Sequence, residues 1–234
     1  IKRQLLTFGI IAGSFLEIVD TDHLMGDLLF PVVSLSVAII LFEGGLTLRL
    51  DDLPEIGRVI RNLITIGVLI TWAVSTVAAR LFLDLDWSLS LLLGAILVVT
   101  GPTVVIPLLN QIRPSGRASS ILRWEGIIID PVGAVLAVLV FEEILIGDNQ
   151  VLIAGWGLIK TILIGVSLGW GSARLMIESF SRYWVPDNLQ NPVVLTVITA
   201  AFTASNALQS ESGLLTVTIM GIVMANQKRF DVIH

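Results

Sequence analysis

A chain of 234 residues with 55% hydrophobic side chains, 14% charged ones and a mean hydropathy of +0.91 is too apolar for a soluble domain, in which about a quarter of residues are charged, so a water-soluble enzyme is excluded. Its 14 Lys and Arg against 19 Asp and Glu give a net charge of −5 and no basic face for nucleic-acid phosphates. With no cysteine and only His23 and His234, a disulfide framework, a thiolate metal site and an imidazole metal cluster are excluded as well.

Apolar runs long enough to cross a hydrocarbon core of about 30 Å lie at 4–19, 28–48, 57–82, 88–109, 123–142, 151–176, 192–210 and 212–226. They predict an all-α polytopic membrane protein of about eight transmembrane helices. The loops on one side hold Lys2, Arg3, Arg49, Arg58, Arg61, Arg113, Arg117, Arg123, Arg174, Arg182, Lys228 and Arg229, which is 12 of the 14 basic residues. The opposite loops hold none and carry Glu17, Asp20, Asp22, Asp27, Asp84, Asp86, Glu142, Glu143, Asp148 and Glu211 instead. Cytoplasmic loops are enriched in Lys and Arg, so residues 1 and 234 are both predicted to be cytoplasmic. Arg80, close to the outer end of its span, is expected to snorkel. Lys160 is expected at the headgroups, with 148–158 as an interfacial lead-in marked by Trp156 and Gly157. Small residues at four-residue spacing, Gly9 and Gly13, then Gly165, Gly169 and Ala173, are expected to let helices pack closely. No internal repeat or soluble linker is evident. The chain starts at Ile1 without a methionine or a signal pattern and stops after a basic cluster, which reads as a fragment.

Ionisable groups inside a bilayer cost several kcal/mol and are functional candidates by default. Glu43 and Asp130 stand well inside their spans, and Glu125 lies about one turn inside the cytoplasmic end of its own. A third irregularity is in the backbone: Thr100-Gly101-Pro102-Thr103, followed by Pro107, predicts a broken helix whose freed carbonyls need partners. Counted at 1.5 Å per residue from the cytoplasmic ends, Asp130 lies roughly 10 Å deep, Thr100 roughly 13 Å and Glu43 roughly 9 Å. Three lipid-averse features from three helices thus fall in one layer, as a hydrated cation pathway requires. A carboxylate short of water holds either a proton or a monovalent cation, and the carbonyl of Thr100 with the hydroxyls of Thr100 and Thr103 can supply further hard oxygen ligands where half-helices meet.

At these residues the sequence resembles the sodium/hydrogen exchanger (cation:proton antiporter, NhaP-like) family. Leu41-Phe42-Glu43-Gly44-Gly45-Leu46 is similar to that family's Phe-Glu-Ala/Gly-Gly helix end, and Val99-Thr100-Gly101-Pro102-Thr103-Val104-Val105 to its Thr-Asp-Pro-Val crossover. Arg123-Trp124-Glu125-Gly126-Ile127-Ile128-Ile129-Asp130 matches its Gly-Glu-Ser-x-x-Asn-Asp motif in spacing, and Ser212 to Gly221 is similar to a later family segment. The resemblance implies that Asp130 carries the cation and the proton, that Glu43 contributes to the cation site, that Thr100 offers a backbone carbonyl, and that Glu125 forms a structural ion pair with an arginine on a helix beyond residue 234. It also implies an inverted-repeat fold in which residues 1–234 are a partial transmembrane domain with the second repeat incomplete, a homodimer in a bacterial-type inner (plasma) membrane, no cofactor, and Na⁺ or K⁺ and H⁺ as substrates. The chain departs from the family at Gly101 for Asp, Gly126 for Ser and Ile129 for Asn, each a lost oxygen or charge. Thr103 is expected to replace part of that loss.

The expected function is secondary exchange of Na⁺ or K⁺ for H⁺ by competition at Asp130. The alternative is an uncoupled or regulated K⁺ efflux path or cation channel, against which stands the absence of a Thr-Val-Gly-Tyr-Gly type filter. An intramembrane hydrolase pairing Asp130 with Glu125 is disfavoured, because five residues turn the two side chains about 140° apart on a helix. The 234 residues alone are expected to be inactive.

Overall fold

The computed structural model describes residues 26–112, 114, 116–146 and 151–227, apart from the side chains of 102–104, 106, 110, 145, 146, 151–155, 158 and 187. The predicted span 4–19 and the pair Gly9 and Gly13 lie outside the described residues. The chain divides into two compact units, Ile1–Val37 and Ala38–His234.

Every regular element among the described residues is helical. In chain order they are α1 (Leu29–Leu46), α2 (Leu53–Asn62), α3 (Val68–Leu83), α4 (Trp87–Ile96), α5 (Pro102–Ile112), α6 (Arg117–Ile146), α7 (Val151–Ser181), α8 (Gln190–Leu208) and α9 (Ser212–Ala225). A π-helical stretch, Leu63–Gly67, joins α2 to α3 without a break. Among the described residues, Gly26–Leu46, Leu50–Leu83 and Gln190–Leu208 are long and apolar enough to cross a membrane, and Trp87–Ile96 and Ser212–Ala225 are shorter apolar helices. Side chains that a soluble protein would bury stand on the surface, such as Leu69, Val74, Phe82, Leu163 and Leu175. Lipid, rather than water, is the solvent that tolerates them.

The predicted spans and the helices agree closely, with instructive differences. The span at 88–109 is two helices, α4 and α5, as Gly101-Pro102 foretold. Both α6 and α7 outrun their apolar cores, at 30 and 31 residues. The helix of Lys160 runs unbroken from Val151, so the described part of 148–158 is continuous with it: no proline interrupts the i to i−4 ladder there, and helix propagates once nucleated. Lys160 is exposed, with its ammonium 6.0 Å from the Trp156 ring centre. Arg80 turns its head to the end of α3, donating to the Leu85 carbonyl at 2.6 Å beside Asp84 and Trp87.

Two apolar clusters hold the larger unit together. Leu48, Ile56, Ile60, Trp124, Ile127 and Ile222 join α2, α6 and α9 to the loop after α1. Val68, Val98 and Ile129 join α3 and the end of α4 to α6. In lipid these contacts act through close packing rather than through removal of apolar surface from water. Small residues do bring α7 onto α9: Gly165 faces Leu215, Gly169 faces Thr216 and Ile219, and Ala173 is buried. At the α8–α9 turn, Ser205, Ser212 and Thr216 are buried and satisfy one another, with Ser205 and Ser212 hydroxyls 2.6 Å apart and the Thr216 hydroxyl donating to Ser205 at 2.7 Å. Polar contacts extend α6 beyond its apolar part: Arg117 pairs with Glu55 at 2.8 Å and Ser120 donates to Asp52 at 2.8 Å.

Candidate ion-binding site

The break between α4 and α5 follows from three residues. The last α-helical bond of α4 runs from the Leu97 N–H to the Leu93 carbonyl at 3.0 Å, and the chain then tightens, Val98 donating to Ala95 and Val99 to Ile96, both at 3.4 Å. Gly101 has φ +41°, in the left-handed region that glycine enters without steric penalty. Pro102 has no N–H, so the Val98 carbonyl loses its helical donor. Pairing resumes where Val105 N–H meets the Gly101 carbonyl at 3.4 Å. Pro107, inside α5, likewise denies a donor to the Thr103 carbonyl.

Against this break lies one face of α6. Gly126, Asp130 and Gly133 are spaced four and three apart, which puts them on one side of a helix over about 10 Å. A Cβ on Gly126 would come 3.0 Å from Cγ2 of Val105, and one on Gly133 would collide with Cγ2 of Val99. The chain on both sides of the break therefore touches the helix on both sides of Asp130. Asp130 is half-buried and, among the described residues, takes part in no hydrogen bond or ion pair. Its neighbour Pro131 is buried inside α6 and leaves the Ile127 carbonyl without a helical donor as well.

Glu125 is bound to the break. The Thr100 hydroxyl donates to Glu125 Oε1 at 3.1 Å, a contact that uses the hydroxyl proton and leaves the oxygen lone pairs for another partner. Glu43 sits in the last turn of α1, exposed, with no hydrogen bond or ion pair among the described residues. Its neighbours fix that helix end in place: a Cβ on Gly44 would lie 3.3 Å from Ile127 Cγ1, and one on Gly45 would lie 2.6 Å from the Thr218 carbonyl oxygen and 3.2 Å from Gly221 Cα. Since Ile127 is one turn from Asp130, the segment bearing Glu43 reaches the Asp130 helix about 4.5 Å along the axis from the carboxylate. Thr103 belongs to α5, but its side chain, like that of Pro102, lies outside the described residues.

Sequence reasoning passed over two contributors. Pro131 was visible as a proline beside the carboxylate in an apolar run. Asn226, just past α9, donates to the carbonyls of Leu48 at 2.8 Å and Ile222 at 2.7 Å and accepts the Leu50 N–H at 2.7 Å, so one amide clasps the loop after Glu43 to the end of α9. An asparagine at a helix end suggests capping, but not a partner 178 residues away.

Known proteins place this geometry in context. The family model described as sodium/hydrogen exchanger, transmembrane, matches residues 4–233. The K(+)/H(+) antiporter NhaP2 of Shewanella sp. (strain ANA-3) is 28% identical over 200 residues, covering 85% of this chain and 35% of that protein. Na(+)/H(+) antiporter 1 of Methanocaldococcus jannaschii is 26% identical over 231 residues, covering 95% and 53%. The solved structure of the sodium proton antiporter MjNhaP1 from Methanocaldococcus jannaschii at pH 8 superposes with a TM-score of 0.74 at 25% identity, over 95% of this chain and 55% of that one. The chain spans between about a third and about half the length of these relatives.

Proposed function

Because this chain belongs to the sodium/hydrogen exchanger family, we propose that it carries the ion site of a secondary antiporter exchanging a monovalent cation, Na⁺ or K⁺, for H⁺ by competition at Asp130. The observation that carries this reading is the isolation of Asp130: a half-buried carboxylate without a described counter-charge or hydrogen-bond donor, held between Gly126 and Gly133 on the helix face that meets unwound backbone. Among the described residues this anion has no partner to lock to, which argues against a structural lock. It is stabilised only when a proton or a cation arrives, and one carboxylate accommodates one of them at a time.

The other residues then have distinct parts. Carbonyls released by Pro102 and Pro107, with the Thr100 oxygen lone pairs and the Thr103 hydroxyl, replace water around a dehydrating cation. The Glu125 carboxylate holds Thr100 through the threonine hydroxyl. Glu43 adds negative charge near the cytoplasmic approach, which attracts cations and repels anions. Gly101 gives the crossing segment its turn. The protein works as a homodimer in the cell membrane with residues 1 and 234 on the cytoplasmic side.

The test is coupled flux. The whole protein in liposomes is expected to dissipate an imposed pH gradient on addition of Na⁺ or K⁺, read with a pH-sensitive dye, and Asp130→Asn is expected to abolish this while inserting and folding normally. Coupled flux that persists in Asp130→Asn rejects the assignment. Conductance far above transporter rates without proton movement would instead support an uncoupled cation path.

A further inference from the structure

A cleft of about 470 Å³ opens between the second half of α7, the end of α9 and the loop after α1. Its apolar wall is Leu50, Ile177 and Val223, and its charged wall is Arg174 and Glu178, with Trp170 alongside. The two charges are not equivalent. Glu178 is already paired with Arg182 one turn further on. Arg174 has no carboxylate partner among the described residues; its guanidinium lies 5.3 Å from the Trp170 ring centre and its N–H groups face no described acceptor. Asn226, in the same wall, spends its amide on Leu48, Leu50 and Ile222. Among the described residues, the cleft therefore presents the Arg174 guanidinium without a carboxylate partner above an apolar floor.

Its level in the membrane is set by the aromatic residues around it. Trp170 is 52% exposed, and past the end of α7 Tyr183 and Trp184 are 80% and 69% exposed, with Arg182 5.5 Å from the Trp184 ring centre. Trp and Tyr collect where headgroups meet hydrocarbon. Arg174 and Arg182 belong to the basic, cytoplasmic set, and the cytoplasmic leaflet carries the anionic lipids of most membranes. A free phosphate would match the guanidinium but leave the apolar wall wet.

We infer that this cleft is a binding site for the headgroup of an anionic phospholipid of the cytoplasmic leaflet, with its phosphate on the Arg174 guanidinium and the start of an acyl chain against Leu50, Ile177 and Val223. A guanidinium grips a phosphate through paired N–H donors in a fixed fork, and its stacking on Trp170 holds that fork in place. The site rests on the membrane orientation proposed above but not on the role of Asp130, so binding and transport fail independently.

The test is thermal stability of the whole purified protein in mild detergent, titrated separately with phosphatidylglycerol, phosphatidylcholine and inorganic phosphate. Phosphatidylglycerol is expected to raise the midpoint saturably, and the other two are not. Arg174→Gln is expected to weaken the response about tenfold in apparent affinity, the size of one lost charge-assisted contact, while Arg58→Gln, an exposed arginine on the same side but away from the cleft, leaves it intact. The inference is overturned if Arg174→Gln responds like the unmodified protein, if Arg58→Gln loses as much, or if inorganic phosphate or phosphatidylcholine stabilises equally well.

Discussion

The end of α1, which positions Glu43, is held by backbone touching backbone, and this can be tested with a single methyl group. In Gly45→Ala the new Cβ would stand 2.6 Å from the Thr218 carbonyl oxygen and 3.2 Å from Gly221 Cα. Ordinary contact begins near 3.4 Å, so α1 and α9 must part by roughly 0.8 Å, and no rotamer change can relieve it because both obstacles are main chain. A gap of that size forfeits a quarter to a half of each dispersion contact along the crossing. The expected loss is about 1–3 kcal/mol, the usual cost of overpacking. Gly221→Ala enters the same crossing from the other side, 3.1 Å from Gly45 Cα, so the two losses should be sub-additive by more than about 0.5 kcal/mol, the second methyl using space the first has opened. Gly57→Ala in α2 is the control: nothing lies within 4 Å of its Cβ, and alanine in a helix should be neutral or stabilising by up to about 1 kcal/mol. Denaturant unfolding of the detergent-purified protein reads all four variants. Gly45→Ala as stable as Gly57→Ala, or strict additivity with Gly221→Ala, would refute the crossing.

Thr100→Val should lower apparent cation affinity by about tenfold or more, the worth of one hydrogen bond to a carboxylate, whereas Thr100→Ser keeps the donor to Glu125 and should stay close to the original; equal affinities for both variants would remove the Thr100–Glu125 contact from the account. Gly126→Ser brings an oxygen one turn from Asp130 into space that Val105 occupies, with Cβ 3.0 Å from its Cγ2. On its own it should lower the unfolding midpoint, and adding Val105→Ala should restore it; a Gly126→Ser protein as stable without the second change would show that Val105 does not fill that position.

Hydropathy made the helices legible because lipid-facing turns are apolar on every side, and the one-sided placement of arginines supplied an independent check on their order. The break at Gly101-Pro102 was legible for a local reason: a missing N–H and a left-handed φ are properties of those two residues alone. What escaped was tertiary. The extra turns of α6 are polar and stand because Arg117 reaches Glu55 and Ser120 reaches Asp52, contacts that no hydropathy window contains. The Thr100–Glu125 bond joins residues 25 apart, and the clasp of Asn226 on Leu48 spans 178. Gly126 was read as a ligand lost; in the fold it is also the space into which Val105 packs. Asp130, Glu43 and Thr100 stand out in the sequence because each breaks a rule of the lipid phase, but Gly133, which frames Asp130 on its other side, obeys those rules and gave no signal.

Competition at one carboxylate has a direct signature: a bound cation must displace a proton. The whole protein, purified in detergent at weak buffering and at a pH low enough for Asp130 to be protonated, should acidify its solution when Na⁺ or K⁺ is added, saturably and with about one proton released per cation bound. Its apparent cation affinity should weaken as pH falls, approaching tenfold per pH unit where Asp130 is protonated. Asp130→Asn should release none. Cation binding without proton release, or release that survives in Asp130→Asn, would contradict the account.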